Sequence, residues 1–226
     1  MEFIVVRENI FNLLVSCRIW ASYLLDDFYH YLFDKWWSLD TCQQVLSSEM
    51  QTDSKDVKNA KKYQASHLRT FKKALKLLDV DHSLYSFVDI GCGKGRALLM
   101  ASRWPFHQII GVEFCQNLVH FCKINLAQYQ NQSNKNINFH ILHQEATSFK
   151  VPEGPCVYYF FNPFNEEVLN RTLQHIKYHS NPKYLKRHRF IYVNPVYNWV
   201  FESRGLTKQK NLFNPNQNKQ IEVWSY

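Results

Sequence analysis

The stretch FVDIGCGKGRALLMAS, residues 87–102, decides the fold. An apolar run ends on a carboxylate at Asp89. Glycines follow at 91, 93 and 95 with Lys94 among them, and the chain then continues from Arg96 without a helix breaker. A strand that stops at a glycine turn and feeds a helix is a ligand site on general grounds. The crevice lies at the carboxyl end of the strand, and backbone N–H groups at the helix start face the ligand. Three ligands compete for such a turn: a phosphate, a dinucleotide and an amino-acid-like cofactor.

The chain on either side repeats the same alternation. Upstream, HLRTFKKALKLL (67–78) places Leu68, Phe71, Leu75 and Leu78 on one helical face with lysines between them. LYSFVDI then reads as a buried strand. Downstream, the pattern predicts strands over 108–114, 137–142, 155–161 and 189–194, and helices over 117–130, 165–179 and 195–203. LTKQKNLF and QIEVWSY flank the polar turn NPNQNK with no room for a helix, so they form an antiparallel hairpin. The expected fold is α/β: a Rossmann-like, doubly wound seven-stranded sheet with an antiparallel C-terminal hairpin and an N-terminal helical extension. The polar stretch 47–66 separates that extension, residues 1–46, from a domain over 47–226.

The loop itself narrows the ligand. A phosphate loop ends in Gly-Lys-Ser/Thr, but here Lys94 is followed by Gly95 and Arg96, so no hydroxyl is supplied for magnesium. The dinucleotide fingerprint needs a small sixth residue, and Arg96 stands there. The remaining pattern, acid-x-Gly-x-Gly-x-Gly, is complete in Asp89, Gly91, Gly93 and Gly95.

With these marks the sequence resembles the class I, seven-β-strand S-adenosylmethionine (SAM)-dependent methyltransferases of the small bacterial stand-alone type. The resemblance implies a loop of Asp89, Gly91, Cys92, Gly93 and Gly95 around the methionine part of the cofactor, with Asp89 at its ammonium end. It implies that Glu113 in GVEF, about twenty residues after the loop, accepts the ribose hydroxyls. It also implies that Phe114 lines the adenine pocket and that Glu145, followed by Ala146 in HQEATSF, receives the adenine amino group. Tyr63 and Ser66, in YQASHLRTFKKAL, match segments that fold over the cofactor. FDKWWSLDT (33–41) resembles a Phe-Asp-x-x-x-Gly-x-Asp-Thr segment of the same enzymes, with Ser38 where glycine is usual. Asn162, in FFNPF, resembles the Asn/Asp-Pro-Pro-aromatic motif of enzymes that methylate amino nitrogens, although one proline is missing. The same asparagine also suits the cap of the next helix. A looser likeness exists to the non-SET histone-lysine methyltransferases.

Composition sets the outer limits. At 226 residues and 46% hydrophobic content the chain supports one globular domain with an appended segment. The excess of 27 basic over 19 acidic side chains, a formal +8, suits acidic partners. The clusters KNAKK, KKALK and KYLKRHR keep a nucleic-acid acceptor open beside a protein or small-amine acceptor. The six cysteines form no Cys-x-x-Cys and suit reduced thiols in a cytoplasmic protein. His175 and His179 have metal-ligand spacing but no third ligand, so no metal is expected. Residues 1–32 are aromatic and apolar at helical spacing, broken by Arg7, Glu8 and Arg18. They read either as a helix packed on the domain or as a peripheral membrane or partner-binding helix. The expected function is methyl transfer from SAM to an unidentified acceptor, nitrogen favoured. The alternatives are a nucleic-acid methyltransferase and a SAM-binding, non-catalytic partner protein.

Overall fold

The computed structural model describes residues 21, 24–25, 27–50, 52, 63–214 and 219–226. Five short apolar runs form its parallel strands: β1 (Ser86–Ile90), β2 (Gln108–Glu113), β3 (Phe139–His143), β4 (Cys156–Phe160) and β5 (Arg189–Val193). β6 (Thr207–Asn214) and β7 (Lys219–Ser225) pair antiparallel as the expected hairpin, and β7 inserts beside β5. The strand order is β3-β2-β1-β4-β5-β7-β6. β1 and β4 are buried along their whole length, as central strands covered on both faces must be.

Alternation along the strands divides the core into two layers. Phe87, Val157, Tyr159 and Ile191 face one side, where they meet Phe71 and Leu75 of α2 (Leu68–Leu77) and Leu98 of α3 (Arg96–Ala101). Val88, Tyr158, Phe160 and Phe190 face the other, where Leu169 and Leu173 of α5 (Glu166–His179) and Phe201 of α7 (Trp199–Ser203) cover them. α4 (Gln116–Ser133) follows β2 and brings Cys122 and Leu126 to the first layer. The chain runs from β1 outward to β3, then returns to β4 on the other side of β1. That reversal opens a crevice beyond the carboxyl ends of β1 and β4.

Three departures from the sequence reading have local causes. The helix expected over 195–203 is shortened to α7, since Asn194 is left-handed (φ 55°) and turns the chain before Pro195. A single-turn α6 (Pro182–Leu185), capped by Asn181 with proline at its start, precedes β5. β3 begins at Phe139, two residues inside the run expected to form it.

Residues 27–37 are helical and form α1. Of the segment expected to contact a membrane or partner, most lies outside the described residues. In its described part Leu24, Phe28 and Leu32 are exposed. None of the helices among the described residues is long and apolar enough to cross a membrane. At the end of α1, Ser38 takes φ 50°, the left-handed conformation that glycine adopts without cost. Ser38→Gly is therefore expected to raise stability by up to about 1 kcal/mol in chemical denaturation. A loss of stability would mean that the serine side chain holds the turn.

Candidate active site

The glycine loop lies between β1 and α3, tied to β2. Gly91 and Cys92 donate their N–H groups to the carbonyl of Val112 at 2.9 and 3.1 Å. Gly93 sits at φ +52°, and a Cβ there would lie 2.2 Å from ring carbons of Tyr63. Gly91 backs onto Pro163 in the same way, at 2.9 Å. The loop thus requires glycine for close approach as well as for its turn.

Two carboxylates face this loop. Asp89, at the end of β1, is 4% exposed, and no hydrogen-bond or ion-pair partner of its side chain occurs among the described residues. Burial pushes its carboxyl well above the usual range, and the nearby Glu113 adds to the effect. Glu113, ending β2, accepts the N–H of Gly93 at 2.9 Å and that of Cys115 at 3.0 Å. Burial raises its pKa too, opposed by those N–H groups. A bare buried carboxylate beside a glycine cradle calls for a cationic ligand; a second acid with lone pairs to spare suits hydroxyl donors.

The two cations of the loop are spent on a strap from the N-terminal segment. Lys94 is 1% exposed, and its Nζ lies 2.8 Å from Asp40 Oδ2. The lysine inside the glycine loop is thus a buried tether. Arg96 Nη2 donates to Asp34 at 3.0 Å and to the His30 carbonyl at 3.3 Å. Asp34 also accepts from Thr41 N and Oγ1 and from Cys42 N. Asn125 of α4 clamps the Asp40 and Lys94 carbonyls at 2.9 and 3.0 Å. Tyr63 completes the strap: its hydroxyl donates to the Thr41 carbonyl at 2.8 Å and its ring covers Gly93.

At the other wall, Asn162 follows β4 with φ 44°, a left-handed residue before Pro163. Its Oδ1 lies 3.4 Å from the Tyr192 hydroxyl. It is not the cap of α5. That role belongs to Asn165, whose side chain accepts from Val168 N at 3.1 Å. Tyr158 and Tyr159, just before it on β4, are core side chains on opposite layers of the sheet.

These elements enclose a cavity of about 230 Å³. Asp89, Gly91, Cys92, Gly93, Glu113, Phe114, Glu145, Ala146, Tyr63 and Asn162 all line it, as does Ser66. Gly95 does not; it caps α3 and packs on Cys122. Arg96, Gln64 and Gln144 line the cavity without having been singled out as binding residues. Gln144 had a signal, its place beside Glu145; Arg96 had been weighed only as an obstacle to a dinucleotide. Among the described residues no group of three or more His, Cys, Asp or Glu side chains is placed to hold a metal. His175 instead bonds the Phe149 carbonyl and packs tilted against His179.

Comparison with known proteins bears on this geometry. The family model described as "Putative methyltransferase" matches residues 84–193, the segment carrying β1 to β5. No curated protein matches the sequence. Among solved structures, a SAM-dependent methyltransferase from Aquifex aeolicus is 15% identical, with TM-score 0.53 over 69% of this chain and 88% of its own. The ribosomal protein L11 methylase of Lactobacillus delbrueckii subsp. bulgaricus is 10% identical, with TM-score 0.52 over 69% of this chain and 76% of its own. An RNA methyltransferase from Salinibacter ruber, in complex with S-adenosyl-L-homocysteine, is 15% identical, with TM-score 0.50 over 70% of this chain and 90% of its own. At these identities the likeness is one of fold, and the acceptors named differ in kind.

Proposed function

We propose, for a chain that belongs to the class I SAM-dependent methyltransferases, that the acceptor is a nitrogen nucleophile. The cofactor is SAM, which supplies a methyl group made electrophilic by its sulfonium. One observation carries the nitrogen reading: Asn162, Pro163 and Phe164 line the same cavity as the glycine loop, and Asn162 is left-handed and relieved of helix capping.

In this reading each wall of the cavity has a role. Asp89 pairs with the ammonium end of the cofactor and Glu113 accepts the ribose hydroxyls. Phe114, Glu145 and Ala146 form the adenine end. Tyr63 closes over Gly93 and keeps water from the reacting atoms. Asn162 accepts an N–H of the acceptor and aims its lone pair at the methyl carbon, while Phe164 packs beside it.

The cluster KYLKRHR does not favour a nucleic-acid acceptor. Lys183, Lys186 and Arg187 stand at the amino end of β5, a strand length away from the cavity. KNAKK lies outside the described residues.

Asp89 gives the reading a pH dependence. Its folded pKa is raised above the unfolded value of about 3.9, so the stability it contributes is present below that value and lost as pH rises through the folded pKa. A cationic ligand favours the ionised form. SAM affinity is therefore expected to increase as pH rises through the folded pKa of Asp89 in calorimetry, and Asp89→Asn to flatten that slope. An affinity independent of pH would remove Asp89 from the ammonium end.

The acceptor is tested by incubating the protein with methyl-tritiated SAM and fractionated cell extract, then hydrolysing the labelled fraction. Label recovered as N-methyl supports the proposal. Label on oxygen, sulfur or carbon overturns it, and SAM binding without transfer to any fraction favours a non-catalytic partner protein.

A further inference from the structure

Four non-glycine residues among those described have positive φ: Ser38, Asn134, Asn162 and Asn194. Ser38 turns the chain after α1, and Asn134 ends α4, where a left-handed asparagine is an ordinary terminator. The other two stand side by side. β4 and β5 are in parallel register with Phe160 opposite Tyr192. Asn162 and Asn194 each lie two residues further on, each followed by a proline, with φ 44° and 55°. Both line the cavity that holds Asp89 and Gly93. Strained backbone of this kind persists where the surroundings enforce it, and clusters where side chains do chemistry.

The side chain of Asn194 has no local task. Its backbone N–H is held by the Gln220 carbonyl at 2.8 Å, but its amide group has no partner among the described residues. α7 begins at Asn198, not at Asn194. Two asparagines on adjacent strand ends therefore line one space, and the Tyr192 hydroxyl takes only one lone pair of Asn162 Oδ1.

We infer that Asn194 is a second acceptor-binding residue and that the acceptor nitrogen is a primary one, carrying two N–H bonds: an amine, a primary amide or an exocyclic amino group. This deepens the nitrogen reading and rests on it. A neutral primary nitrogen has two N–H bonds and one lone pair. One N–H to each asparagine leaves the lone pair as the only group free to meet the methyl carbon. The lone pair forms the N–CH₃ bond as the C–S bond breaks, and the electron pair of that bond stays on sulfur as a neutral thioether. The nitrogen then loses one of its two protons to water at the exposed Asn194 rim. The product keeps one N–H, so it engages one asparagine instead of two, and transfer stops at one methyl group.

Glycine separates the side chain from the turn, because it takes the left-handed conformation without cost. Asn194→Gly is expected to keep SAM affinity within about twofold by calorimetry. It is expected to slow transfer of tritium into the extract fraction labelled by the wild type by on the order of 100-fold. Asn194→Asp keeps an acceptor oxygen and should recover most of the rate. The labelled product should be the mono-N-methyl species. Full rate in Asn194→Gly, a dimethyl product, or label on a nitrogen that began with a single N–H would overturn this inference while leaving the nitrogen reading standing. Label on another element, or none in any fraction, counts against both.

Discussion

Gly93→Ala is expected to lower SAM affinity by at least about 100-fold, the effect of roughly 3 kcal/mol. The substitution meets two obstacles. At φ +52° a Cβ costs about 1–2 kcal/mol in backbone strain alone. The added carbon would also lie 2.2 Å from the Tyr63 ring. That ring cannot swing aside freely, because Tyr63 is held at both ends, by its hydroxyl on the Thr41 carbonyl and by its N–H on the Val45 carbonyl. Displacing it pulls on the strap that fixes Arg96 through Asp34. Tyr63→Ala in the same chain should restore part of the affinity by opening the space. Titration calorimetry of the single and double variants decides; an unchanged affinity in Gly93→Ala would mean that the cofactor does not approach the loop.

Glu113→Ala is expected to have the second large effect, on binding and on stability together. The carboxylate accepts two buried N–H groups, of Gly93 and Cys115, and its removal leaves both without an acceptor. Each buried donor left unpaired costs about 1–3 kcal/mol. A fall of about 2–5 kcal/mol in unfolding free energy should accompany loss of detectable SAM binding. Glu113→Gln separates the two roles: its single carbonyl oxygen keeps one N–H bond, so stability should partly recover while affinity stays low. Wild-type affinity in Glu113→Gln would show that the acid does not hold the ribose.

The contrast between these residues shows what a sequence carries. β1, β2 and β4 were legible because continuous apolar runs bounded by glycine and proline leave few other structures, and the closing hairpin because no helix fits between its strands. The cavity wall of Asp89, Gly91, Gly93 and Glu113 was legible because these residues are fixed by spacing along strand and turn. The strap was not. Asp40 lies 54 residues from Lys94 and Asp34 lies 62 from Arg96, so nothing local tells a buried tether from a solvated lysine. The cap of the helix after β4 could not be assigned between Asn162 and the asparagine three residues on, and the structure gives it to Asn165. Asn194 gained meaning only when the register of β4 and β5 placed it beside Asn162.

Ser38 adds a further lesson. The resemblance expects glycine there, and the chain keeps the glycine conformation, φ 50°, with a serine. Asp34 explains how: it gathers Thr41, Cys42 and Arg96 across the turn, so the fold of 34–42 is set by that carboxylate and tolerates the strain.

The central claim is that this cavity binds SAM through Asp89, the glycine loop and Glu113. Titration calorimetry of the wild-type protein with SAM tests it most directly. A one-to-one heat with a Kd below about 100 μM is predicted, abolished in Gly93→Arg. No heat and no thermal shift at millimolar SAM, or an unchanged affinity in Gly93→Arg, would contradict it.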